Sequence, residues 1–182
     1  MLTGIFEHLI KAYYRKKRQL IKTRFNRALS IGDYIVDRWE KARFYGFGEG
    51  TSVYDNVLIL GDVTIGKNTW VGPNCILDGS GGGLEIGDNC SIAAGVHIYT
   101  HNTVKRATSG GAEKTETAPI FIGSNCYIGP NSVIAMGSHI EDGCIVGALT
   151  FVNSVKIPKG SRVYGIPATV RESKIENNPT ST

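Results

Sequence analysis

A bulky aliphatic residue returns every six positions along most of this chain. The series starts at Phe47 and runs through Val53, Ile59, Ile65, Val71 and Leu77. It resumes at Ile86, Ile92 and Ile98, and again at Ile122, Ile128, Ile134, Ile140, Val146 and Val152. A strand repeats its side chains every two residues and a helix about every 3.6. Six fits neither a long strand nor a long helix. It fits a short strand followed by a sharp turn, with three such units closing one triangular coil. A fixed short period predicts a solenoid, here a parallel β-helix of the all-β class.

Two further columns follow the bulky one. Glycine often comes next, at Gly48, Gly66, Gly72, Gly87, Gly123, Gly129 and Gly147. Glycine there permits close backbone approach or positive φ. Four places after the bulky residue the side chain is small: Thr51, Thr69, Cys75, Cys90, Cys126, Ser132, Ser138, Cys144 and Thr150. All four cysteines fall in this column. They form no CxxC pair and no zinc-like spacing. Their expected role is that of small buried hydrophobes, and free thiols favour a reducing compartment.

The formal charge of +4 is unevenly spread. Residues 1–45 form a basic segment with helical spacing at Leu2, Ile5, Phe6, Leu9, Ile10 and Tyr13, continued at Leu20, Ile21, Phe25 and Leu29. Ser30-Ile31-Gly32-Asp33 reads as a break, and a second short helix or a first strand follows. The segment is expected to be an α-helical cap on the open end of the solenoid, where strand edges are exposed. A second reading is contact of residues 1–30 with anionic lipid. The solenoid is expected over 46–172, with a loop at 102–119 and a polar, disordered tail at 173–182. With neither a secretory core nor a membrane-length apolar run, the expectation is a cytoplasmic protein, at the inner face of the membrane on the lipid reading. Nucleic-acid binding is not expected, because the repeat body is acidic.

The period fails between Ile98 and Ile122, where about eighteen residues are extra. The inserted stretch reads as polar and flexible. His101 stands at its root, and Asn102 follows. A shorter insertion, Asp78-Gly79-Ser80-Gly81-Gly82-Gly83, lies one coil earlier. Leu77 and Ile98 then stack on one face, about 4.8 Å apart. Asp78 and His101 follow them closely, so an acid is expected beside an imidazole. Histidine titrates near neutrality and suits a general base.

With these pieces the chain resembles the hexapeptide-repeat acyltransferases, in the sugar and polysaccharide O-acetyltransferase branch near the maltose and galactoside acetyltransferases. The residues that carry the resemblance are Leu77 to Gly82 with Ile86-Gly87-Asp88-Asn89, Tyr99-Thr100-His101-Asn102 before a loop ending in Ala118-Pro119, and Gly165-Ile166-Pro167-Ala168 with Val170-Arg171. The resemblance implies a left-handed β-helix, a homotrimer with clefts between subunits, and acetyl-CoA as donor, without a metal. His101 falls where the family has its catalytic histidine and is expected to be the base, with Asp78 orienting the ring or binding the acceptor, Asn102 holding the sugar or fixing the loop, and Tyr127 offering the substrate an aromatic face and a hydrogen bond. The pantetheine arm is expected past Ala135, Gly137, Gly147 and Ala148, with Lys156, Lys159, Arg162 and Arg171 on the phosphates. A backbone N–H near Ile128–Gly129 or at Gly137 is expected to meet the oxyanion. The implied activity is O-acetylation of a saccharide in surface polysaccharide synthesis. The alternatives are N-acetylation of a nucleotide-linked amino sugar or small amine, a zinc site on His97, His101 and His139, and a non-catalytic scaffold.

Overall fold

The computed structural model describes residues 2–171; the predicted tail 173–182 lies outside them. The six-residue period becomes three stacks of short parallel strands around one axis. The first face stacks Val53, Val71, Ile92, Ile128, Val146 and Val163 in register. The second stacks Ile59, Leu77, Ile98, Ile134 and Val152. The third stacks Ile65, Ile86, Ile122, Ile140 and Ile157. All of these are buried except Ile59, which is partly covered. Stacked partners are 18 residues apart where the repeat is regular, as for Val53 and Val71. The offset widens to 21 and then 36 at the two insertions and closes to 17 in the last coil.

The small column has a chemical reason beyond size. Most of its side chains donate to carbonyls of the next coil. Thr51 Oγ1 donates to the Gly66 carbonyl, and Thr69 Oγ1 to that of Gly87 at 2.9 Å. Cysteine does the same: Cys75 to Ala93 at 3.0 Å, Cys90 to Gly123 at 3.1 Å, Cys126 to Glu141 at 3.2 Å and Cys144 to Pro158 at 3.1 Å. These are free, buried thiols. Burial pushes the Cys75 and Cys144 thiols up, which keeps them protonated and donating. Buried carbonyls are thereby satisfied through the turns, where strand pairing cannot reach them.

Of the two reasons for glycine after the bulky residue, close approach is the operative one. A Cβ on Gly48 would lie 2.4 Å from the Gly66 carbonyl carbon, and one on Gly129 2.5 Å from the Ala148 nitrogen. Positive φ falls two residues later, at Asn68, Asn74, Asn89, Asn125 and Asn131, or at glycine. Leu149 occupies that position with φ 56° and an exposed side chain. Leucine is strained there.

The N-terminal segment is all helix: α1 Leu2–Phe25, α2 Ile31–Ile35 and α3 Arg38–Phe44. The break comes earlier than expected, after Phe25, and Ser30 opens α2 instead of ending a helix. The cap is also smaller than expected. It is α3 that packs on the first strand, burying Ala42, with Phe47 behind it. Asp37 caps α3 by accepting from the Trp39 and Glu40 amides. Lys41 Nζ donates to the carbonyls of Tyr54, Asp55 and Val57 at 3.1, 2.6 and 3.1 Å. Burial lowers the Lys41 pKa despite nearby Asp55 and Asp33. Helix α1 instead leaves most of its apolar side chains in solvent. It meets α2 through Tyr14, edge-on to the buried Tyr34 with ring centroids 5.4 Å apart.

Replacing Leu149 by Asn should raise unfolding free energy by about 1 kcal/mol by relieving the left-handed backbone. Gly129→Ala should lower it by about 2 kcal/mol through overpacking between coils. Urea denaturation of the two variants checks both signs.

Candidate active site

Both insertions leave the solenoid at one corner, between the second and third faces. The glycine insertion is not a simple turn. Ile76–Ile86 is one continuous strand that crosses the corner and pairs with Leu58–Ile65 below, with a bulge between Gly61 and Val63. A Cβ on Gly79 would lie 1.8 Å from the Asp62 carbonyl oxygen, and one on Gly81 2.2 Å from that of Thr100. The glycines therefore let three layers of backbone touch. Thr100 locks the upper contact. Its buried hydroxyl donates to the Asp78 carbonyl at 2.8 Å and accepts the Gly81 amide at 2.8 Å.

This stacking sets His101 against Asp78. His101 Nδ1 lies 3.1 Å from Asp78 Oδ2, and the carboxylate side chain is only 4% exposed while the imidazole is 33% exposed. The other carboxylate oxygen accepts the Ser80 amide at 2.9 Å and the Ser80 hydroxyl. An ionised carboxylate only accepts, so Nδ1 carries the hydrogen of this pair and Nε2 is left with a lone pair. The long loop is more ordered than its composition predicts. His101–Asn102 pairs antiparallel with Glu116–Thr117, and a short helix α4, Val104–Thr108, sits between them. Lys105 closes the hairpin on Glu116 at 2.6 Å.

A cleft of about 380 Å³ opens beside His101. Asn102 and Ala135 line it, as do Tyr99, Met136, Phe151 and Asn153. Asn102 Oδ1 accepts the Val104 amide at 2.8 Å, which turns its NH₂ to other use. Tyr99 and Asn153 were not singled out by the repeat analysis, yet the register contains them. Asp78, Tyr99, Ala135 and Asn153 form one cross-strand column. Counting outward positions coil by coil would have found them.

Other predicted residues do not join this cleft within the chain. Tyr127 lies on the first face, between Ser91 and Ile145. Gly137 turns to a second cleft, of about 490 Å³, on the third face with Asp62, Glu85 and Phe121. Gly147 is small because the Tyr164 ring covers it, 2.4 Å from where a Cβ would be. Ala148 is exposed at the corner between the first and second faces. The expected oxyanion donors are engaged: the Gly129 amide donates to Val146 at 2.8 Å, and the Gly137 amide to Pro119 at 3.2 Å. The predicted cationic cluster is divided. Lys156 pairs with Glu141 at 3.0 Å on the third face, and Lys159 lies 3.9 Å from Asp142. The Lys156 ammonium holds the Glu141 carboxyl below its ordinary range. Arg162 and Arg171 face each other across an antiparallel pair on the first face. His97 and His139 sit on different faces, and among the described residues no three His, Cys, Asp or Glu side chains gather as a metal site.

The comparisons agree with this architecture. Residues 119–154 match the family description "Bacterial transferase hexapeptide (six repeats)", and residues 62–100 match "Hexapeptide repeat of succinyl-transferase". A maltose O-acetyltransferase from Clostridium difficile is 26% identical, with a TM-score of 0.65 over 90% of this chain and 87% of that one. A hexapeptide-repeat acetyltransferase from Vibrio cholerae, solved with acetyl-coenzyme A, is 25% identical, with a TM-score of 0.65 over 88% and 86%. The bifunctional protein GlmU of Pseudoalteromonas atlantica is 29% identical over 63% of this chain. The chain spans only about a fifth of that relative's length. The chain thus carries hexapeptide repeats over these two stretches and shares the left-handed β-helix fold of these solved neighbours.

Proposed function

We propose that this chain is an acyl-CoA-dependent acyltransferase that moves an acetyl group onto a saccharide hydroxyl, as a homotrimer serving surface polysaccharide synthesis. The observation that carries the reading is the His101–Asp78 pair, 3.1 Å apart, at the mouth of a cleft on a hexapeptide solenoid. The likeness to a maltose O-acetyltransferase and to a protein seen with acetyl-coenzyme A supports the donor and the acceptor class.

A sugar hydroxyl is a weak nucleophile at neutral pH and needs a base as it attacks. In the proposed step His101 Nε2 takes the hydroxyl proton while the oxygen adds to the thioester carbonyl. The tetrahedral intermediate collapses, the C–S bond breaks, and the imidazolium returns its proton to the departing thiolate. Asp78 holds the ring in the required tautomer and stabilises the cation as it forms. Asn102 and Asn153 bring side-chain amides to the cleft, and Tyr99 an aromatic ring. An amine acceptor would lean less on the base, which is why this pair favours a hydroxyl over the N-acetyl reading.

The trimer completes what one chain lacks. Leu58 and Leu60 stand exposed on the second face, beside the cleft. Burial of that face against another copy would close the cleft with residues of the neighbour. Arg162 and Arg171 are the proposed phosphate partners, since like charges set opposite each other favour an anion between them. The free buried thiols support a reducing, cytoplasmic setting.

His101→Ala should cut kcat by about 10²- to 10⁴-fold with acyl-CoA binding intact. Asp78→Asn should cut it at least about 10-fold by misdirecting the ring. Steady-state assays with acetyl-CoA across saccharide and amine acceptors, with calorimetry for the coenzyme, measure both. Near-normal turnover in His101→Ala removes the base from the reaction. Arg162→Gln combined with Arg171→Gln should raise KM for acetyl-CoA by about 10-fold, a loss near 1.4 kcal/mol, and leave kcat near its original value.

A further inference from the structure

Helix α1 carries an apolar stripe with none of the described residues covering it. Ile5, Leu9, Tyr13 and Leu20 share one side, with Phe6 and Ile10 beside them, and all six are exposed, Phe6 at 67%. The half-buried residues Tyr14, Lys17 and Ile21 continue from Ile10 around the helix, so contact with the rest of the chain covers one edge of the apolar side and leaves Ile5, Leu9, Tyr13 and Leu20 open. Exposed apolar side chains continue on α2 and α3, at Ile31, Ile35, Trp39 and Phe44. An apolar surface of this extent marks an interaction site.

The charges of α1 say what covers it. The helix holds seven Lys and Arg against the single Glu7. Only Lys11 has an ion-pair partner, Glu7. Arg15, Lys16, Arg18, Lys22 and Arg24 have none among the described residues. Several of them border the stripe, where a long side chain can lay its methylenes on an apolar surface and lift its charge out. Lysine is depleted in the centre of protein interfaces, and bringing copies of this helix together would crowd like charges. A sheet of anionic headgroups over an acyl layer satisfies both halves of the helix at once. No helix among the described residues is long and apolar enough to cross a membrane. At about 36 Å for 24 residues, α1 suits a position in the plane of the interface.

We infer that α1 docks this protein on an anionic phospholipid surface, lying flat with Ile5, Phe6, Leu9 and Tyr13 in the acyl boundary and its cations on the headgroups. The inference stands apart from the acyl-transfer reading, because it uses none of the cleft residues.

Flotation of the full chain with vesicles tests it. The protein should float with phosphatidylcholine vesicles carrying about one-third phosphatidylglycerol, and not with phosphatidylcholine alone. Ile5→Glu, Leu9→Glu and Tyr13→Glu together should abolish flotation with the mass in solution unchanged by light scattering. Lys16→Gln, Lys17→Gln and Arg18→Gln together should weaken it about 100-fold, at about fivefold per cation. Failure of the unaltered protein to float with the anionic vesicles overturns the inference. So does equal flotation with neutral vesicles. If the glutamate variant still floats but falls to a smaller mass, the stripe is an interface between copies and the lipid assignment is wrong.

Discussion

The structure depends on the way each coil seals the one before it. Strand pairing handles the backbone on the three faces, but the corners turn too sharply for it. There a threonine, serine or cysteine reaches inward and donates to a carbonyl of the next coil. Three residues before it, glycine lets the coils approach within backbone contact. Burial with satisfied carbonyls is what makes a tube of two- and three-residue strands stable, since no single strand of that length could stand alone. Thr150 Oγ1 and Ser161 Oγ, buried without a partner among the described residues, lie toward the C-terminal end of the solenoid.

The candidate site is a departure from that regularity at one corner. Two insertions of unequal length leave the tube at neighbouring levels. Glycine in the lower one removes the side chains that would hold the upper one away. Thr100 then pins the upper strand through its hydroxyl, and His101 comes down beside a carboxylate that Ser80 already holds. The pair is rigid because its supports are backbone and buried hydroxyl, not long flexible side chains. The imidazole still faces the cleft, because the hairpin with Glu116–Thr117 turns the loop outward.

The N-terminal helices divide their work. Lys41 of α3, desolvated and shared among three carbonyls, fastens the end of the tube and closes its first coil. Helix α1 contributes little to that closure. Its amphipathic pattern is read correctly as helical, but pattern alone does not say which surface the apolar side meets. A cap and an interfacial helix have the same periodicity, and the difference lies in whether the stripe is covered.

The six-residue period by itself determined the solenoid, the inward columns, the fate of the cysteines and the corner from which both insertions leave. These are local, repeated facts, and stacking turns a count of residues directly into adjacency. Asp78 and His101 were legible for that reason, each following closely on one of the stacked residues Leu77 and Ile98. Tyr127, Gly147 and the basic residues near the C-terminus were not, because a triangular coil sends residues only a few places apart to different faces. Where each of them falls relative to the cleft was decided by the folded tertiary structure and not by nearness in the chain. So were the folding of the polar loop into a hairpin and the exposure of α1, which depend on contacts between segments far apart in the chain.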